Sequence, residues 1–213
     1  LQVALDVCQS VALDNGAFTA WKQGKNLDVH AYMEWAAGLR RHPRVDWAII
    51  PDVIEGGEEA NQHLMDTWDA FFGTDARTFG VPVWHMHESS DKLSYLIDQY
   101  PRIAIGSSAE YSTVGTKQWH ERMAWAMSFI CDENGLPKSK VHMLRGLNPA
   151  VFTKYPFASA DSTNAARNCN IDTRWNGVYA PPTTGWRARV IMARIESYTS
   201  ASRFAQENNN EEV

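Results

Sequence analysis

The sequence predicts a parallel α/β protein: a TIM-like (β/α) barrel that is either incomplete in this chain or lacking one or two amino-terminal strands. Three observations predict it. Six short apolar runs each end in a polar residue or a glycine. The run ends fall about 29 residues apart, which suits βα units of roughly 30 residues. The stretches between them carry apolar residues at helical spacing. Strands covered on both faces read as continuous apolar runs, and barrels display functional side chains at the carboxyl ends of their strands.

The first run, Val11 to Leu13, leads into Asp14-Asn15-Gly16-Ala17-Phe18, and Trp47 to Pro51 leads into Asp52. Val81 to Trp84 ends at His85-Met86-His87, and Ile103 to Ile105 at Gly106-Ser107-Ser108. Val141 to Leu144 ends at Arg145-Gly146, and Phe157 to Ala160 at Asp161-Ser162. A complete barrel has eight strands, so six leave a deficit. Leu1 to Val7 reads either as a weak strand or as the end of a helix. An open doubly wound sheet is the alternative architecture.

Between the runs, Val29 to Leu39 is expected to be helical, entered through Asn26-Leu27-Asp28 with capping residues at hand. Glu58 to Phe72 places Ala60, Leu64, Trp68 and Phe71 on one face, and Ser90 to Tyr100 buries Leu93, Leu96 and Ile97. Gln118 to Glu133 stops at Asn134-Gly135-Leu136-Pro137, a strong stop signal. The last helix is expected from Thr184 or Gly185 to Ala205. The irregular loop Asn168 to Pro182 is long, and long loops on such scaffolds are often functional.

The 213 residues are read as one domain, 1–206, with a polar tail over 207–213. The net charge of −5 gives no global basic signal for nucleic acid. Residues 167–203, however, hold six arginines against Asp172 and Glu196, a local +4. Such a segment suits either phosphates or a solvated helix face. Cys8, Cys131 and Cys169 have no paired spacing, which points to a reducing, cytoplasmic setting. No run of about 18 apolar residues exists to span a membrane. No signal peptide is read, and the start at Leu1 implies processing or a native terminus further upstream.

Each strand end has a chemical reading and a plain one. A glycine after Asp14-Asn15 permits positive φ and close approach of a ligand, and Phe18 can stack on a planar ring. An Asp-Asn-Gly turn with a core phenylalanine explains the same residues. Asp52 can accept two hydrogen bonds from an amide-and-amine edge such as that of guanine, or cap a helix. His85 and His87 share a face if extended and can bind a metal, or hydrogen-bond within the mouth. Gly106 and Gly146 can offer backbone N–H groups to a ligand carbonyl, or only turn the chain. Arg145 can meet a phosphate or pair with a carboxylate. Asp161 can attack an anomeric carbon, or cap the helix that follows. Arg167, Arg174 and Arg187 are the candidates for nucleic-acid backbone contacts.

In this order, the elements resemble the tRNA-guanine transglycosylase superfamily. They are most similar in kind to its compact phage and bacterial relatives, which insert 7-deazaguanine derivatives into DNA. The family's Asp-Ser-Gly-Gly-Phe segment resembles Asp14 to Phe18, its base-reading aspartate Asp52, and its glycine turn Ile105-Gly106. Its Leu-Met-Gly segment resembles Met143 to Gly146, and its nucleophilic aspartate resembles Asp161 with Ser162 to Asn168. Where the family carries a base-contacting glutamine, this chain has the Val83 to His87 strand with two histidines. The family's Cys-x-Cys-x-x-Cys zinc module is absent, which favours DNA over tRNA and implies no cofactor.

The resemblance implies base exchange. Asp161 attacks C1′ and displaces guanine, and Asp14 serves as general acid and base. Asn15, Gly16, Asp52, His85, His87, Gly106, Arg145 and Gly146 surround the base, and Phe18 stacks on it. Two other classes remain open on the residues alone. One is a metal-dependent hydrolase using His85, His87, Asp14 and Asp52. The other is a non-catalytic nucleic-acid-binding barrel.

Overall fold

The computed structural model describes residues 1–170, 175–176 and 178–205; the expected tail 207–213 and Arg174 lie outside them. The amino-terminal segment is helical, not a strand: α1 (Gln2–Val7) precedes β1 (Val11–Leu13), α2 (Ala17–Lys22) and α3 (Val29–Leu39). Then come β2 (Val45–Ile49), α4 (Glu58–Phe72), α5 (Ala76–Phe79), β3 (Gly80–Val81) and β4 (Val83–His85). They are followed by α6 (Ser90–Gln99), β5 (Arg102–Gly106), α7 (Lys117–Ile130) and β6 (Lys140–Met143). The series ends with α8 (Pro149–Phe152), β7 (Ser159–Ala160), α9 (Asn164–Asn168) and α10 (Thr184–Glu196).

Local chemistry sets these boundaries. Asp28, Ser89, Thr116 and Thr183 each accept a hydrogen bond from a first-turn N–H of α3, α6, α7 and α10, satisfying donors that a helix leaves unpaired. The last helix stops at Glu196, short of the expected Ala205. Ser197 turns its hydroxyl to the Arg194 carbonyl (2.7 Å), and the run Tyr198-Thr199-Ser200 favours helix poorly. Beyond it, the Phe204 N–H bonds the Gly135 carbonyl (2.9 Å).

All strand pairs are parallel, in two ladders ordered β1-β2-β3 and β4-β5-β6-β7. Pro82 separates β3 from β4 because it has no N–H to donate. Across that break, Ile50 N–H bonds the Val81 carbonyl (2.9 Å) and Ala104 N–H bonds the Pro82 carbonyl (2.8 Å). Neighbours therefore follow chain order throughout. A doubly wound sheet reverses its order at a switch point, and no such reversal occurs among the described strands.

The strands curve strongly. β2 and β6 are three strand spacings apart, which in a flat sheet means roughly 14 Å. Yet the Trp47 and His142 ring centroids are 4.9 Å apart, and Arg102 of β5 lies 5.1 Å above the Trp47 ring. The concave face carries its own small apolar cluster of Trp47, Ile49, Val81, Val83 and Ala104, with Leu144 against it. The convex face packs on the helices through the main core, including the fully buried Trp68, Trp84 and Trp119.

No closed barrel forms among the described residues, because β1 and β7 are each paired on one side only. The two-residue β7 gives way to α9 and α10, and the amino-terminal segment folds as α1, so among the described residues no further strand extends either edge. Nor is any helix among the described residues long and apolar enough to cross a membrane.

Gly80 is where the third strand meets its helices. A Cβ there would collide with the Trp68 indole nitrogen and lie 2.6 Å from the Ala76 carbonyl, the two groups that hydrogen-bond each other at 3.1 Å. Gly80→Ala is therefore expected to destabilise the fold by about 1–3 kcal/mol, measured as a lower urea midpoint with an unchanged m-value.

Candidate active site

A cavity of about 980 Å³ opens at the carboxyl ends of the strands, at the upper end of the roughly 300–1,000 Å³ usual for ligand sites. Nine sequence-predicted residues line it: Asp14, Asn15, Phe18, Asp52, His85, Gly106, Arg145, Asp161 and Arg167. Most stand at or just past the carboxyl ends of strands from the first to the last, with Phe18 on α2 and Arg167 on α9, so sheet curvature brings the strand ends together.

The Asp14 segment forms the expected Asp-Asn-Gly turn, but Phe18 is exposed at the cavity wall and is not a core residue. Gly16 has φ +74°, and the Asn15 Oδ1 accepts the Ala17 N–H at 2.8 Å, which starts α2. The Asn15 amide then reaches across to the Ile50 carbonyl (3.1 Å) and to Asp52 Oδ1 (2.7 Å). Below, the buried Tyr32 hydroxyl donates to the Ile49 carbonyl (2.8 Å), and burial followed by the Asp14 and Asp52 charges raises its pKa. Asp14 keeps solvent contact inside the cavity, yet its pKa is raised. Burial is the largest cause; the Asp161 and Asp52 charges add to it, against the N–H groups of Gly16 and Asn15.

Asp52 does not cap a helix, since α4 begins six residues later behind Gly57. Its Oδ2 lies 3.0 Å from His85 Nε2, an ion-pair distance without hydrogen-bond alignment. His85 is buried, and its backbone N–H is held by Glu88 Oε2 at 2.7 Å. A Cβ on Gly106 would lie 2.9 Å from His85 Nδ1, so this glycine makes room for the imidazole.

Asp161 does not cap α9 either; Thr163 holds the N-cap position there. Its Oδ1 accepts the Arg145 N–H at 2.8 Å and stands 3.5 Å from His142 Nε2. Burial pushes its pKa up, but the His142 contact and the Arg145 N–H outweigh it, and the pKa falls below the ordinary carboxylate value. Arg145 adopts φ +59°, unusual for a residue with a side chain. That turn sends its guanidinium to the carbonyls of Ser107 and Ser112 (both 3.2 Å) and over the Phe18 ring at 4.7 Å.

Four expectations need correction. His87 turns away from the cavity: it is exposed, with Nδ1 on the Ser108 hydroxyl at 2.7 Å. Its ring lies 5.9 Å from that of His85 but does not line the cavity with it, and no group of three or more His, Cys, Asp or Glu side chains among the described residues could hold a metal. Gly16 shapes the turn without lining the cavity. Gly146 is also outside the lining; a Cβ there would strike the Met143 side chain, so it serves chain packing. Arg187 is buried and donates to the carbonyls of Cys169 (2.5 Å), Pro181 (2.7 Å) and Pro182 (3.1 Å). It staples the long loop to α10 and presents nothing to a phosphate.

Sequence reasoning missed His142 and Ser159, which lie beneath Asp161. The signal was parity. His142 shares a strand face with Leu144, and Ser159 shares one with Asp161, so both point to the concave side. No family model, curated protein or solved structure matches the chain.

A carboxylate whose pKa is raised by folding destabilises the native state once ionised. Asp14→Asn should accordingly raise the melting temperature at pH 8, and the gain should vanish at pH values below the unfolded-state pKa of an aspartate, near 3.9. Thermal unfolding followed by circular dichroism at the two pH values measures this.

Proposed function

We propose that the protein exchanges guanine for a 7-deazaguanine derivative in nucleic acid, DNA rather than tRNA, through a glycosyl intermediate on Asp161. One observation carries the reading: Asp14 and Asp161 face one cavity, and their surroundings push their pKa values in opposite directions. Divergent carboxyl pairs divide the roles of proton donor and anion.

An Asp161 oxygen bonds C1′ as the C1′–N9 bond breaks, and Asp14 gives its proton to the departing purine. In the second half, Asp14 takes a proton from the entering base as that base's nitrogen bonds C1′ and Asp161 leaves. Asp52 has one contact on each oxygen, to Asn15 and His85. Each oxygen keeps a further lone pair for the N1–H and N2–H of guanine. Phe18 lines the cavity as the ring on which the base would stack, and exposed Arg167 stands at the rim for a phosphate. The target nucleotide must leave its stack to enter, at a cost of about a few kcal/mol. The curved, chain-ordered sheet is read as an incomplete barrel of the kind the resemblance implies.

Incubation with labelled guanine or 7-deazaguanine and either DNA or tRNA tests the reading. Label should enter DNA, and Asp161→Asn should lower incorporation by on the order of 10³-fold or more. The rate should fall at low pH as Asp161 protonates and at high pH as Asp14 ionises. Undiminished exchange by Asp161→Asn, or no exchange into either nucleic acid, would overturn it.

A further inference from the structure

The strand pair beneath Asp161 holds a polar pair, the buried His142 and the half-buried Ser159, that base exchange, as described, does not use. His142 and Ser159 are direct partners in the β6–β7 ladder, and Asp161 lies two residues beyond Ser159 on the same face. Ser159 Oγ is 2.8 Å from His142 Nδ1, and His142 Nε2 is 3.5 Å from Asp161 Oδ1. The imidazole is buried, with its other side edge-on to Trp47 at 4.9 Å. It cannot turn away without breaking the concave-face packing.

We propose that Ser159 and His142 are positioning residues for Asp161. The Ser159 hydroxyl donates to Nδ1 and thereby places the ring proton on Nε2, facing Asp161 Oδ1. The proposal rests on the reading of Asp161 as the nucleophile. The Arg145 N–H falls on the same oxygen. With Oδ1 engaged from two sides, Oδ2 is the oxygen assigned to attack C1′.

A histidine whose far nitrogen is fixed by a hydrogen bond has a set tautomer and orientation. The lowered pKa of Asp161 is consistent with this arrangement: against the burial that raises it, the His142 side chain is the first of the lowering causes. The charged groups around the pair are few. On the open side Asp161 meets Arg145 and Asp14, and Asp14 in turn meets Asp52. Behind Trp47 stand Arg102 and its ion-pair partner Asp46 (3.6 Å), and Lys140 lies two residues from His142 on its own strand.

The test is a carbon-13 NMR titration of the Asp161 carboxyl, together with nitrogen-15 spectra of His142 and the pH profile of exchange. Wild-type His142 should show the Nε2–H tautomer. His142→Phe keeps an aromatic ring against Trp47 but removes the donor. It should raise the Asp161 titration midpoint, shift the acid limb of the rate profile upward and lower kcat about 10- to 100-fold with KM unchanged. His142→Gln, which restores an N–H near Nε2, should recover part of each effect. Ser159→Ala, the milder change, should mix the His142 tautomers and move the Asp161 midpoint in the same direction.

An Asp161 midpoint unchanged in both His142→Phe and Ser159→Ala would overturn the proposal. So would a wild-type His142 carrying its proton on Nδ1. Should His142→Phe fail to fold, Ser159→Ala decides alone. The NMR measurements do not require turnover: shifted midpoints in a protein that exchanges no base would leave the positioning pair standing and remove the exchange reading.

Discussion

The contact between Trp47 and His142 is the constraint on which the rest of the structure depends. Parallel strands taken in chain order can form a flat sheet or curl. Here two rings from strands three spacings apart meet edge to face inside the curl. The Arg102 guanidinium covers Trp47, and the small side chains of Val81, Val83 and Ala104 fill the concave face between. That curvature turns the carboxyl ends of the first and last strands toward one cavity. Without it, Asp14 and Asp161 would stand at opposite edges of an open sheet.

Three aspartates in one cavity would repel one another if all were ionised and unsupported. The fold divides them instead. Asp52 is held between Asn15 and His85. Asp161 is stabilised as an anion by a backbone N–H and by His142. Asp14 is left to bear the remaining cost, with burial and both neighbouring charges raising its pKa. A site arranged this way costs stability at Asp14, and in the proposed exchange that raised pKa is what suits Asp14 to give a proton beside the Asp161 anion.

Much of this arrangement was legible in the sequence because it sits at strand ends, where an apolar run breaks into a polar residue. Asp14, Asp52, His85, Gly106, Arg145 and Asp161 were found by that signal alone. What it hid were residues inside the runs. His142 and Ser159 lie one register step below the strand ends, and only alternation along the strand assigns them to the concave face. Gly106 and Gly146 were legible as glycines but not as to what they make room for: the His85 imidazole and the Met143 side chain. Arg187 looked like a phosphate ligand because charge content says nothing about burial, and the carbonyls that hold it come from residues 169, 181 and 182. The deficit of strands was legible too: six apolar runs are fewer than a closed barrel needs, and the segment over 1–7, open between strand and helix in the sequence, folds as α1.

The most direct test of the central claim is to trap the intermediate. The protein is mixed with guanine-containing DNA in the absence of an incoming base, quenched in acid, digested, and examined by mass spectrometry. The account predicts a nucleotide-bearing peptide with the added mass on Asp161, absent from Asp161→Asn and retained at a reduced level in Ser159→Ala. An adduct on any other side chain, or base exchange with no adduct on Asp161, would contradict it.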